Sequence, residues 1–325
     1  MQSSIRQQLL EVFSEADGEF VSGQTISEKL GCSRTAIWKH MEDLRREGYE
    51  LEAVRRLGYR IAKKPDKVTN NEISLGLQTE VIGRHIHYEE TVDSTQKIAA
   101  RLAFEGAPEG TVVVAEEQTA GRGRLSRIWH SPKGTGVWMS IILRPAIPVQ
   151  QAPQLTLLAA VSVAQAIEQV TGLSVGIKWP NDILIGGKKA VGILTELQAD
   201  PDQVNAVIIG IGVNVNQQRE HFAEEILPIA TSLAIEAGTA FPRASLMQAV
   251  FLQLEKLYKE YLTNGFGIIK LLWESYAISI GREITARTVT STIVGTAKGI
   301  TEEGVLLLED RDGRIHAIHS ADIEI

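Results

Sequence analysis

Gly121-Arg122-Gly123-Arg124-Leu125-Ser126-Arg127-Ile128-Trp129 packs three Arg among two Gly and a Trp. Backbone N–H groups and guanidinium forks in such a loop can close over an anion. The two glycines flanking Arg122 give up backbone rigidity for close approach to a ligand. The spacing is neither a P-loop nor a dinucleotide fingerprint, because no Gly-Lys-Ser/Thr and no third Gly follows. Downstream, Lys178-Trp179-Pro180-Asn181-Asp182 ends a β-like run and leaves a carboxylate near a turn at a strand end. Together the two stretches read as a site for a phosphate-bearing, partly apolar small molecule.

Outward from these motifs, the segment from about 70 to 275 mixes strands and helices. Residues 111–115, 136–143, 191–197 and 206–213 are apolar, β-branched runs that read as buried strands. Residues 155–170 and 245–261 read as helices. The wide apolar stripe of the second helix, from Met247 to Tyr261, is core. A sheet backed by helices results. Further clusters with chemical potential lie along it. Asp93-Ser94-Thr95-Gln96 stands where a strand over 86–88 gives way to a helix, and its hydroxyls and amide either cap that helix or bind a polar head group. Gln118 leads into the Gly-Arg loop. Of the pair Lys188-Lys189, one is solvated and the other, beside Gly192, can neutralise charge at a reacting centre. Gly210-Ile211-Gly212-Val213-Asn214 sets two Gly on one strand face, where a ligand or another backbone lies, unless they mark a bulge. No Ser/His/Asp triad, HExxH motif or paired-carboxylate spacing is present, and neither His85/His87 nor His316/His319 makes a convincing metal site. The chemistry is therefore positioning and electrostatics.

Toward the N-terminus, Ile5, Leu9, Val12 and Phe13 recur at helical spacing, and Asp17-Gly18-Glu19 ends that helix. A short helix after Ser22, a break at Gly31-Cys32-Ser33 and a longer helix to about Glu47 follow, with Ser33 as its N-cap. This is helix-turn-helix patterning. Residues 49–61 alternate around Arg55-Arg56-Leu57-Gly58 like a two-stranded wing. On this reading Arg34, Thr35, Trp38 and Lys39 approach base edges, while Arg55 and Arg56 touch backbone or minor groove. A small helical interaction domain is the plainer alternative. Ala62-Lys63-Lys64-Pro65-Asp66-Lys67 reads as a linker, and Asn70-Asn71-Glu72 starts a new element.

Composition sets the outer bounds. A chain of 325 residues suggests two or three domains, and 44% hydrophobic residues suffice for a sizeable core. The net charge of -7 argues against nucleic-acid binding by the whole surface. Residues 1–64 nevertheless hold 11 Lys/Arg against 10 Asp/Glu, a net of +1, which leaves -8 for the remainder. The single Cys32 excludes an intramolecular disulfide and a Cys-based zinc cluster. The stretch Met1–Arg6 lacks an apolar signal core, and the apolar run near 155–167 is too short and too polar to span a bilayer. A cytoplasmic protein is expected.

The motifs, in their order and spacing, resemble those of the bacterial bifunctional biotin–protein ligase and biotin-operon repressor family over nearly the whole chain. Those motifs are Gly121–Arg124 with Trp129, Lys178–Asp182, Lys189 with Gly192, and Gly210–Asn214. The resemblance implies an α+β multidomain fold. A winged helix-turn-helix occupies 1–64, and a central mixed sheet with helices, related to class II synthetases and lipoate ligases, occupies 65–275. An SH3-like β-barrel follows over 276–325, where short strand-like runs and the hairpin signal Asp310-Arg311-Asp312-Gly313 suit it.

The implied activity joins biotin to ATP as biotinyl-5′-AMP and passes biotin to a lysine of a biotin carboxyl carrier protein domain in acetyl-CoA carboxylase-type enzymes. Mg2+ enters with ATP. With biotinyl-5′-AMP as corepressor, a homodimer would bind operator DNA. Matching positions imply roles. Ser94, Thr95, Gln96 and Gln118 face biotin's polar end, and Gly210 and Gly212 make room for its apolar body. Arg122, Gly123 and Arg124 close over the acyl phosphate. Trp129 covers adenine, Arg127 lies near phosphate, and Asn181 and Asn214 lie near the nucleotide. Lys189 neutralises carboxylate or α-phosphate, and Asp182 contacts magnesium or takes a proton. The chain departs from some relatives at Leu125-Ser126, where they read Arg-Gly. A non-catalytic, effector-binding regulator and a lipoate-type ligase are the competing readings.

Overall fold

The computed structural model describes residues 2–16, 18–201 and 203–325; Met1, and Asp17 in the turn expected after the first helix, lie outside the described residues. Two compact units divide the chain, Met1–Leu77 and Gln78–Ile325.

The first unit opens with α1 (Gln2–Glu15), α2 (Gly23–Leu30) and α3 (Arg34–Arg46). Leu9, Phe13, Ile26, Ile37, Met41 and Leu44 form its core, as the helical spacing requires. Ser22 caps α2 by accepting from the Thr25 amide at 3.0 Å, and Ser33 caps α3 by accepting from the Ala36 amide at 3.3 Å. Burying Ile37, Met41 and Leu44 turns Arg34, Thr35, Trp38 and Lys39 to solvent. β1 (Glu50–Val54) and β2 (Gly58–Lys63) pair antiparallel, with Arg55 and Arg56 exposed at the tip. A bridge between Val21 and Tyr59 ties this hairpin to the chain ahead of α2. α4 (Asn70–Ser74) packs into the same unit, where the Tyr49 hydroxyl donates to Glu72.

The second unit holds two sheets. β3 (Ile86–Val92), α5 (Thr95–Phe104), β4 (Val112–Gln118), β5 (Gly136–Leu143) and α6 (Ala152–Thr171) come first. β6 (Gly176–Lys178), β7 (Asp182–Ile185), β8 (Lys188–Ala199) and β9 (Val204–Asn214) follow. α7 (Leu233–Ala237), α8 (Arg243–Asn264) and α9 (Gly267–Tyr276) complete the helices. The large sheet runs β3-β4-β5-β9-β8-β7-β6, parallel between β3 and β4 and antiparallel elsewhere. α6 lies between this sheet and α8 and α9, which explains why it is apolar nearly all round. Thr156 of α6 donates to Thr195 of β8 at 2.8 Å, so by strand alternation Gly192, Leu194, Gly210 and Gly212 face the other side. A buried ion pair, Arg243 to Glu116 at 2.8 Å, fixes the start of α8 to β4.

The smaller sheet contains β10 (Glu283–Arg287), β11 (Thr292–Ile300), β12 (Leu306–Glu309), β13 (Ile315–Ile318) and β14 (Asp322–Glu324). It is antiparallel in the order β13-β12-β11-β10-β14. The Gly313 amide donates to the Asp310 carbonyl at 3.0 Å, closing the expected hairpin turn. Lys178–Asp182 ends a strand at a turn, as its sequence reading expects, and the turn closes a hairpin in which Lys178 of β6 registers with Asp182 of β7. Strands of three and four residues are too short for periodicity to reveal. Among the described residues no helix is long and apolar enough to cross a membrane.

Candidate active site

The glycine-bearing face of the large sheet forms the floor of a cavity of about 720 Å3. Its rim is the Gly-Arg loop. The Trp129 amide donates to the Gly121 carbonyl at 2.9 Å, and the Gly123 amide donates to the Arg127 carbonyl at 2.8 Å, so the loop folds back on itself. A side chain at Gly121 would put its Cβ 2.5 Å from the Trp129 carbonyl oxygen, so only Gly permits this closure. At the tip, Leu125 and Ser126 both take left-handed φ values of 53° and 58°. Non-Gly residues there are strained and persist only when their surroundings hold them. The flanking Arg side chains supply the hold. Arg124 donates to Asn181 Oδ1 at 3.2 Å and to Ser320 Oγ at 2.9 Å. Arg127 makes a two-pronged ion pair with Asp322 of β14, one arm at 3.2 Å. Burial pulls the Arg124 pKa down against the attraction of Asp182 and Asp322.

A polar network lines one end. Ser94 occupies the N-cap position of α5, yet its hydroxyl makes no capping bond. The Thr95 amide and hydroxyl donate to Gln118 Oε1 at 2.9 and 3.2 Å, and Gln118 Nε2 donates to Ser131 at 2.9 Å. Ser140 donates to Gln96 Oε1 at 2.9 Å, and Gln96 Nε2 donates to the Ile208 carbonyl at 3.1 Å. At the other end the Lys189 ammonium lies 2.7 Å from Asp182 and 5.3 Å from the centre of the Trp129 ring. Lys189 thus enters the cavity, while Lys188 does not line it.

Every central-domain residue singled out in the sequence for ligand, phosphate or acid roles lines this one cavity. Ser94, Thr95, Gln96, Gln118, Gly210 and Gly212 are there, as are Arg122, Gly123, Arg124, Arg127 and Trp129, with Asn181, Asp182, Lys189 and Asn214. Their local surroundings add detail. The space beside Gly210 is taken by the Gln96 carboxamide and that beside Gly212 by the Trp129 indole. Asn214 spends its amide inside the fold, donating to the Thr231 carbonyl at 3.0 Å and accepting from Gln217 at 3.1 Å. Asn181 donates to the Ile193 carbonyl at 2.8 Å while accepting from Arg124. The structure also brings in residues that sequence reasoning missed. Phe222, Ile226 and Ile229 give the cavity an apolar flank beside His221, and Ala321–Glu324 line it as well. No motif in the sequence marked these residues, whose place in the cavity depends on long-range packing. Among the described residues no three His, Cys, Asp or Glu gather to hold a metal ion.

Comparison with known proteins agrees with this geometry. Residues 88–214 match the model of the Biotin/lipoate A/B protein ligase family, residues 5–60 an HTH domain, and residues 279–325 a Biotin protein ligase C terminal domain. The bifunctional ligase/repressor BirA of Bacillus subtilis is 60% identical over 325 residues, all of both chains. That of Escherichia coli K12 is 30% identical over 310 residues, covering 95% of this chain and 94% of its own. A solved structure of biotin protein ligase from Aquifex aeolicus, in complex with biotin and ATP, superposes with a TM-score of 0.64. It is 32% identical and covers 74% of this chain and 98% of its own. A cavity built from these motifs, set in a chain matched end to end by such relatives, admits one family: this chain belongs to the biotin protein ligases, in their bifunctional ligase/repressor branch.

Proposed function

We propose that the chain activates biotin with ATP to biotinyl-5′-AMP and transfers the biotinyl group to a lysine of a biotin carboxyl carrier protein domain. With the adenylate bound it dimerises and represses a biotin-biosynthesis operon. The observation that carries the reading is the gathering of Arg122, Arg124, Arg127 and Lys189 at one cavity with an apolar flank.

In the first step a biotin carboxylate oxygen attacks the α-phosphorus of ATP, and the bond to the β-phosphate oxygen breaks to release pyrophosphate. In the second, the ε-nitrogen of the acceptor lysine attacks the acyl carbon, and AMP departs as the acyl-phosphate bond breaks. Both steps place charge on phosphate or carbonyl oxygens, which fixed cations and amides stabilise without an enzyme nucleophile. Ser94, Thr95, Gln96 and Gln118 hold biotin's polar ring, and Gly210 and Gly212 border its apolar body. Arg122, Gly123 and Arg124 close over the acyl phosphate, and Lys189 neutralises the carboxylate and the α-phosphate. Trp129 covers the adenine, Arg127 lies near phosphate, and Asn181 lies near the nucleotide. Asn214 acts on the nucleotide side by bracing the segment that carries His221 and Phe222. Asp182, beside Lys189, takes the proton of the incoming amine.

The acidic groups here do not form a cage for a resident magnesium ion, since Asp182 already pairs with Lys189. Mg2+ is part of the nucleotide substrate, held by phosphates and water, with Asp182 as its one candidate protein contact. The work divides as DNA binding in 1–64, ligation in 65–275 and a closing domain in 276–325. In the first, Arg34, Thr35, Trp38 and Lys39 face bases, and Arg55 and Arg56 face backbone. We read the large sheet as class II synthetase-like and the small sheet as an SH3-like barrel, a reading supported by its five short antiparallel strands. The protein works in the cytoplasm, as its carrier and operator partners require.

The test is intact-mass analysis of a carrier domain incubated with the protein, ATP, magnesium and either biotin or lipoate. Addition of one biotinyl group, dependent on ATP, is expected. Addition of lipoyl alone would reassign the substrate, and no addition in either mixture would favour an effector-binding regulator.

A further inference from the structure

Gly192 and Gly212 face each other directly across β8 and β9, on the side of the sheet that lines the cavity. An ideal Cβ on Gly192 would stand 2.9 Å from Trp129 Cζ3 and 3.3 Å from Cε3 and Cη2. One on Gly212 would stand 2.4 Å from Trp129 Nε1 and 2.7 Å from Cε2. The six-membered ring of the indole therefore rests against one glycine and its pyrrole edge against the other. Trp138, which registers with Gly212 from β5, meets Trp129 edge-on at 6.5 Å and 73°. The Lys189 ammonium lies over the same ring. Glycine inside a strand weakens a sheet and often marks the close approach of another group. Here that group is identified: two paired glycines expose bare backbone wide enough for one indole.

We propose that the Gly192–Gly212 pair is a backbone seat that positions Trp129, and that this seat sets the nucleotide affinity of the site. The proposal rests on the reading that Trp129 covers adenine. Stacking requires the ring at one height and tilt, and a methyl on either glycine lifts it away from its place. Misplacements near 1 Å can cost on the order of a hundredfold in an active site. Gly210 supplies an internal control. It lies on the same strand and face as Gly212, but its Cβ would meet Gln96 Oε1 at 2.6 Å instead of Trp129. Gly192 and Gly212 are thus positioning residues, acting through the indole.

The experiment uses the full chain labelled with 5-fluorotryptophan, with the resonance of residue 129 assigned by its loss in Trp129→Phe. Gly192→Ala and Gly212→Ala are expected to shift that resonance, and Gly210→Ala to leave it in place. In biotin-dependent pyrophosphate exchange, the KM for ATP should rise about tenfold or more in the first two, with kcat changed far less. In Gly192→Ala/Trp129→Phe the KM should equal that of Trp129→Phe alone, because the phenyl ring lacks the outer ring atoms that would meet the methyl added at Gly192. An unmoved resonance in both variants overturns the seat, as does an equal shift in all three alanine variants. Multiplying KM effects in the double variant overturn it as well. A shifted resonance with unchanged KM overturns the link to nucleotide and, with it, the adenine assignment of Trp129, while the seat itself stands. Should Gly212→Ala fail to fold, Gly192→Ala, whose nearest ring atom is farther off, carries the test.

Discussion

Lys189 has two neighbours that fix its ammonium, the Asp182 carboxylate at 2.7 Å and the face of Trp129. That pre-placement is what an electrostatic catalyst requires, since little reorganisation remains when charge develops on phosphate. Lys189→Gln keeps a polar N–H donor on a side chain one atom shorter but removes the charge. It is expected to slow biotin-dependent exchange by about 10²–10³-fold, or roughly 3–4 kcal/mol in barrier, without loss of the folded state by circular dichroism. A loss under tenfold would contradict the assignment. Lys189 was legible because a charged side chain next to a buried, glycine-bearing strand has few uses. Asn214 and Asn181 were legible only as members of the cavity. That both spend their amides on backbone carbonyls depends on which loop lies opposite, and residue type does not encode that. The Trp129 seat was only half legible: two Gly on one strand face pointed to a ligand or another backbone, and the structure instead sets the Trp129 and Gln96 side chains against them.

Among the elements, the Gly-Arg loop joins a strained tip to two anchored Arg side chains. The Arg127–Asp322 pair is largely exposed and adds at most about 1 kcal/mol to global stability. Its effect is local. Asp322→Ala should leave the melting temperature nearly unchanged while tryptic cleavage after Arg127 becomes several-fold faster, and an unchanged cleavage rate would show that the tip needs no such anchor. A second element contact concerns α8. Burial alone would push the Glu255 carboxyl up, but amides of Glu80, Val81 and Ile82, at 2.7 to 2.9 Å, outweigh it and bring the pKa below the ordinary value. A depressed folded-state pKa gives stability that is present above the unfolded value, near 4.3, and is lost as pH falls through the folded one. Glu255→Gln should therefore cost about 1–3 kcal/mol at pH 7, and urea unfolding should show the gap to the parent narrowing below pH 4. A gap that persists at pH 3 would contradict this origin. At this scale periodicity revealed the long elements, with β5 falling on the expected 136–143. β6, β7 and β14 are too short to show a pattern, although β7 and β14 carry Asp182 and Asp322.

At the scale of the molecule, a small unit and a larger acidic one share a chain, and the small unit exposes Arg34 and Lys39 on α3 and Arg55 and Arg56 at the hairpin tip. An arginine that neutralises one DNA phosphate contributes about one to the slope of log affinity against log salt. Arg55→Ala is accordingly expected to weaken binding to random-sequence duplex uniformly and flatten that slope, as read by fluorescence anisotropy between low and moderate salt. An unchanged slope would move the DNA contact away from the wing. The helix-turn-helix was legible because caps, turn and core stripe all pointed the same way. The contribution of the last strand to the cavity was not, because it depends on long-range packing. The central claim is that this cavity forms an acyl adenylate from biotin. ATP–pyrophosphate exchange with the purified chain and magnesium, comparing biotin, lipoate and no acid, tests it most directly. Exchange with biotin alone is predicted, and exchange with lipoate alone, or with neither acid in folded protein, would contradict it.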